Sequence, residues 1–151
     1  MRTHHCHALS APLWHYEQMS ADATQAIIEM VNRETDAWNR KDADALVALF
    51  HPDMVWPWPA SPHAHDPLTW VMPMGRFNAK RWRSLWQSLF DTHDLVANDR
   101  KIVRVEVTPE GDGGFAVVDI DTVWQRRSDG AQDRWKAVSA RSTRAALMAG
   151  G

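Results

Sequence analysis

The stretch "DAWNRKDADALVALFHPDMVW", Asp36 to Trp56, decides how this chain folds. Its left part continues an apolar stripe of Ile27, Met30, Val31 and Trp38 at helical spacing. The stripe predicts a helix over 22–40, with Asp22 and Gln25 spaced as a capping box at its start. "RKD" interrupts it. Asp42 then stands where a helix N-cap belongs, its carboxylate able to accept from a backbone N–H three residues on. A second, shorter helix is expected through Phe50, burying Leu46, Val47, Leu49 and Phe50. "HPD" ends that helix, because a proline pushes the residue before it out of the helical region. "MVW" reads as a short strand.

Toward the C-terminus, prolines at 57, 59, 62 and 67 confine the chain to loop or edge strand. This loop carries Trp56, Trp58, His63, His65 and Asp66. The H-x-H-D run offers three ligand types for a metal. Nothing elsewhere in the sequence points to a fourth, so a polar rim is expected there, with no metal and no cofactor. Residues 78–91 are helical again, with Trp82, Leu85, Trp86, Leu89 and Phe90 as one stripe. Arg81, Arg83 and Gln87 lie off it, so "KRWR" reads as a solvated basic face. His93 follows in "DTHD", at the pocket mouth or capping the helix C-terminus.

The rest of the chain is β. Residues 95–108 place Val103, Val105 and Val107 on one face, and Arg104 and Glu106 on the other. "TPEGDGG" and "RSDG" are turns, separating strands over 114–124 and 131–143. "VVDIDT" sets Asp119 and Asp121 on one face, since strand side chains alternate. Inside a pocket, such a pair splits its pKa values into an acid and a base. If "EGDG" forms a four-residue loop, however, Val105 faces Val118 and Val103 faces Ile120. That register puts Val118, Ile120, Thr122 and Trp124 inside, with Asp119 outside, opposite Arg104. It buries more apolar surface, so it is the expected one.

The 151 residues suit one domain. A formal charge of −2 gives no general reason to expect nucleic acid or an acidic membrane as partner. Nine tryptophans far exceed ordinary usage, and tryptophan either builds core or lines a pocket for flat ligands. The lone cysteine, Cys6, excludes an internal disulfide and fits a reducing, cytoplasmic compartment. Residues 1–18 contain "HHCH", with no second cluster to close a metal site, and no apolar core of a secretory signal. They read as a disordered extension before a domain over 19–144, with 145–151 as a short tail.

Taken together, "DAWNRKDADALVALFHPDMVW" resembles the opening of the nuclear transport factor 2-like superfamily, which includes SnoaL-like polyketide cyclases and ketosteroid isomerases. Trp38, Asn39, Asp42, Leu46, Phe50 and Asp53 fit its pattern, and "GRFNAKRWRSLWQSLF" resembles its third helix. The resemblance covers about 22–140 and implies an α+β cone, a curved antiparallel sheet wrapping three helices around an apolar pocket. It also implies a homodimer and a small apolar or aromatic ligand. Pocket residues would be Glu34, Trp38, Trp56 and Trp58 from the first half of the chain. Trp82, Trp86 and Phe90 would follow from the third helix, and Val118, Ile120 and Thr122 from the sheet.

Two departures bear on chemistry. Glu34 stands where the isomerases carry an oxyanion-stabilising tyrosine, and Trp56, Pro57 and Trp58 stand near their aspartate base. Steroid-isomerase chemistry is therefore not expected. If the chain catalyses proton transfer or water addition, His65, Asp66, His93 or Asp121 would act as acid or base. The alternative is a non-catalytic accessory domain whose pocket is filled by its own tryptophans. The tail "AVSARSTRAALMAGG" is too short and too rich in small residues to supply another strand with a strong apolar face, so the final strand is expected to be weak or missing.

Overall fold

The structure, a computed structural model, describes residues 13–55, 57, 66, 68, 70–72 and 75–144. Helix α1 runs Leu13–Asn39. It starts well before Asp22, inside the stretch expected as an extension. No proline or glycine interrupts it. Asp22 lies within the helix, where its carboxylate accepts from Gln18 Nε2 at 3.0 Å, rather than capping its start.

The end of α1 is built by the quoted stretch. Asp42 N–H donates to Ala37 O at 2.9 Å and Lys41 N–H to Trp38 O at 3.0 Å. These two bonds are a Schellman closure, with Lys41 in the left-handed position at φ 54°. Asp42 is extended and turns at once into helix α2, Ala43–Ala48, its side chain accepting from Ala45 N–H at 2.9 Å. Helix α3, Ala79–Thr92, opens the same way, on Asn78 Oδ1 accepting from Arg81 N–H at 2.9 Å.

Between α2 and α3 the expected "MVW" strand reduces, among the described residues, to one antiparallel bridge between Val55 and Arg76. Strands β1 (His93–Val107), β2 (Gly113–Arg126) and β3 (Gln132–Arg144) then form a three-stranded sheet in the order β1-β2-β3. The class is α+β, as expected, and among the described residues the sheet ends at β3. None of the described helices is long and apolar enough to cross a membrane.

The turn between β1 and β2 corrects the expected register. Thr108 N–H donates to Gly113 O at 2.8 Å, and Gly111 sits at φ 70° within the turn. Gly114 lies beside Val107, closer to the turn than the expected pairing of Val105 with Val118 allows. The shift is by an even number of residues, so every β2 side chain keeps its expected face. Ala116, Val118, Thr122 and Trp124 are buried, while Phe115 and Asp119 are exposed.

Strand β1 behaves differently. Its alternation changes phase at Ala97–Asn98 and again at Val103–Arg104. An extra residue on one strand of a pair has this effect. Val103, expected inside, is therefore exposed. Arg104 pairs with Glu106 on its own strand rather than with Asp119.

The chain divides into two compact units. One comprises the described parts of Met1–Val31, Lys101–Asp119 and Val138–Gly151. Its buried residues include Ala23, Ile27, Val31, Ala116 and Val118. The other comprises Asn32–Arg100 and Ile120–Ala137. Its core is Ala37, Trp38, Ala43, Leu46, Trp82, Trp86, Phe90 and Trp124, flanked by Phe50 and Phe77. The α3 stripe supplies three of these rings. Leu85, expected on that stripe, is exposed.

Candidate functional site

The second unit holds a buried polar cluster against its aromatic core. Glu34 and Arg100 form an ion pair at 3.0 Å, and each side chain is only 6 % exposed. The same Glu34 oxygen accepts from Trp38 Nε1 at 3.2 Å. Glu34 and Trp38 are four apart on α1, so the helix itself brings the indole N–H to the carboxylate. The Arg100 guanidinium also lies 5.6 Å from the centre of the Trp38 ring, within cation–π range.

Asn98 ties this pair to the sheet. Its Oδ1 accepts from Arg100 Nε at 3.2 Å and from the Thr122 hydroxyl at 3.1 Å. Its amide nitrogen donates to Asn39 Oδ1 at 2.8 Å. The phase change at Ala97–Asn98 brings Asn98 and Arg100 to the less exposed face of β1. Without it, the alternation set by Leu95 and Ala97 would have carried Asp99 inward instead.

The aromatic wall is continuous. Trp38 meets Trp86 at 5.7 Å and Phe90 at 5.8 Å, both edge-to-face. Trp86 meets Trp82 at 5.5 Å, and Phe90 stacks on Trp124 at 5.9 Å. Edge and offset geometries are those the ring quadrupole favours.

The model of the SnoaL-like domain matches residues 31–139. The chain belongs to the SnoaL-like family. Among solved structures, this SnoaL-like chain is similar to a ketosteroid isomerase-like protein from Erwinia carotovora atroseptica SCRI1043. That match has 18 % identity and a TM-score of 0.60, covering 83 % of this chain and 87 % of that one. It is also similar to a conserved protein from Planctomyces limnophilus DSM 3776, at 12 % identity and a TM-score of 0.57. There the coverage is 86 % of this chain and 84 % of the other. At such identities the likeness concerns the fold. No curated protein matches the chain.

The SnoaL-like fold distributes the residues expected from sequence unevenly. It buries Glu34, Trp38, Trp82, Trp86, Phe90 and Thr122 in one unit, with Ile120 half-buried. Val118 is buried in the other unit. Trp56, Trp58, His63 and His65 lie outside the described residues. Asp66 is exposed, and its carboxylate accepts from Leu68 N–H at 2.9 Å in a local turn. His93 is the C-cap of α3, its Nδ1 lying 2.8 Å from the Thr92 hydroxyl.

Asp121 sits on the opposite face of β2 from Thr122, held by Arg134 at 2.5 Å and Lys136 at 3.7 Å. The hydrogen bond from Arg134, aided by the charges of Arg134 and Lys136, keeps its carboxyl below the ordinary range. Among the described residues, no group of three or more His, Cys, Asp or Glu is placed to hold a metal ion.

Sequence reasoning did not single out Arg100 or Asn98, and it named Asn39 only as part of the family pattern. Asn98 and Arg100 stand at alternate positions in "NDRK", a polar run between the apolar stretches "LVA" and "IV". That was the available signal. Strand parity read backward from Val107 hid it, because it pointed Asp99 and Lys101 inward instead.

Proposed function

We propose that this domain binds a small apolar or aromatic molecule beside Trp38 and Trp86, with the Glu34–Arg100 cluster as its polar contact. The buried ion pair carries the reading. Desolvating two charges costs several kcal/mol per ion, and apolar residues of equal volume often serve stability as well or better. An ion pair kept in an aromatic interior is therefore where a binding role is best sought. Membership of the SnoaL-like family supports a pocket in this part of the fold. Proton transfer or water addition on the bound molecule, without a cofactor, is the chemistry such a site suits. The copies would associate as a homodimer, a reading supported by exposed Val96 on the end strand β1 and tested by sedimentation.

A second reading has its own observation. Trp82 is 0 % and Trp124 1 % exposed, and their rings pack on neighbouring rings. This favours a non-catalytic accessory domain filled by its own side chains. Calorimetric titration with a panel of aromatic and terpenoid compounds separates the two. Saturable binding tighter than about 0.1 mM, roughly −5.5 kcal/mol, supports the ligand site. No heat from any compound at about ten times that concentration supports the filled interior.

A further inference from the structure

The turn joining β2 to β3 closes with Arg126 N–H donating to Ala131 O at 2.8 Å. Continued along the ladder, this register sets Trp124 across from Asp133 and Thr122 across from Trp135. Two side-chain contacts agree with it. Arg126 reaches Asp133 at 3.8 Å on one face, and Asp121 reaches Arg134 and Lys136 on the other. Trp135 thus shares the face of buried Thr122, yet it is 48 % exposed. A tryptophan open to solvent beside a buried hydroxyl is unlike the interlocked rings of the core.

The hydrogen bonds of Thr122 limit what can bind there. Asn98 Oδ1 accepts from Arg100 Nε, and Asn98 Nδ2 donates to Asn39 Oδ1, so the Asn98 amide orientation is fixed. Toward Oδ1 the Thr122 hydroxyl can only donate, and it has one proton. To any further group it presents lone pairs alone. Glu34 and Arg100 already cancel each other's charge, so an added buried charge would find no counterpart in the pair.

Resting on the binding role proposed above, we infer that Trp135 is the open stacking wall of the site. Its ligand class is a flat, uncharged molecule bearing a hydroxyl, such as a phenol. The ring lies against Trp135, and the ligand hydroxyl donates to Thr122 Oγ1.

Calorimetry with three probes at pH 7 tests this: 2-naphthol, 2-methoxynaphthalene and 2-naphthoate. The expected order is 2-naphthol tightest, with each of the other two about tenfold weaker. Trp135→Ala weakens 2-naphthol about five- to tenfold, while Trp135→Phe stays within about threefold. Trp135 is half-exposed, so both variants are expected to keep the wild-type circular dichroism and melting temperature. Thr122→Val removes the preference for 2-naphthol over its methyl ether.

Equal affinity for 2-naphthol and its ether overturns the hydroxyl class. Unchanged binding in Trp135→Ala overturns the stacking wall. Binding of none of the three probes to the wild-type chain overturns the site itself. A change in probe order with binding intact leaves the proposed function standing and refutes only this inference.

Discussion

Removing one partner of the Glu34–Arg100 pair is the most demanding test of the interior described here. Both side chains are 6 % exposed and lie 3.0 Å apart. Glu34→Leu takes the carboxylate away from the buried Arg100 guanidinium and from Trp38 Nε1, which donates to it. Arg100→Met takes the guanidinium away from the buried carboxylate, which keeps its bond from Trp38 Nε1. Breaking a buried pair from one side costs about 3–5 kcal/mol. A domain of this kind is stable by about 5–15 kcal/mol in total, so each single variant loses a large share of it. At about 2–4 °C per kcal/mol for a chain of this size, the melting temperature falls by roughly 6–20 °C.

The double variant Glu34→Leu/Arg100→Met removes both charges together. It is expected to recover most of the loss, leaving a coupling energy of at least about 2 kcal/mol in the cycle. Urea unfolding of the four proteins measures this directly. A buried pair is poorly screened, so the coupling should change little between about 0.05 and 0.5 M salt. Losses that simply add, with no recovery in the double variant, would refute the reasoning.

Three further outcomes are expected. Lys41→Gly relieves the left-handed strain at φ 54° and forfeits only a half-exposed 3.6 Å contact with Asp94. It should raise the urea midpoint, by at most about 1 kcal/mol of stability; an unchanged or lowered midpoint would count against the Schellman closure. Gly114→Ala sets a methyl group against the Glu106 carbonyl and 2.7 Å from Ile27 Cδ1. It should cost about 1–3 kcal/mol in thermal unfolding, and a neutral result would mean that β1 and β2 do not approach this closely.

The third concerns pH. Arginine hydrogen bonds hold the carboxyls of Asp44, Asp94 and Asp121 below their ordinary range. For Asp129 the first cause is the backbone N–H of Ala131. Folded-state values below the unfolded ones give stability that is complete above the unfolded pKa, about 3.9, and is lost as pH falls through the folded values. The urea midpoint should be insensitive to these four groups near neutral pH and drop below about pH 4, less steeply in high salt. A midpoint that stays flat from pH 5 to pH 2 would contradict these pairings.

The helical part of the fold was legible because its signals are local. Asp42 caps a helix by bonding a backbone N–H three residues on, and it does so in the structure. The α3 stripe follows from a period of 3.6, and Trp82, Trp86 and Phe90 are buried as expected. The face of β2 was legible too, because parity survives a register error of an even number of residues. The start of α1 was misread because Asp22 and Gln25 have cap spacing, yet nothing between Leu13 and Asp22 stops a helix.

By itself, then, the sequence determined the α+β class, the Asp42 cap, the aromatic stripe of α3 and the inward face of β2. All of these are set within a few residues or by a simple period. Tertiary structure decided the cluster around Arg100. Asn98 and Arg100 lie on the less exposed face only because the alternation of β1 changes phase, and sequence spacing records no such change. Glu34 meets Arg100 across a sequence separation of 66 residues, and Asn98 meets Asn39 across 59. The β2–β3 register, set by the turn at Arg126–Ala131, puts Trp135 on the face of Thr122. A buried charge is decided by what the folded chain sets opposite it, and that partner is not local.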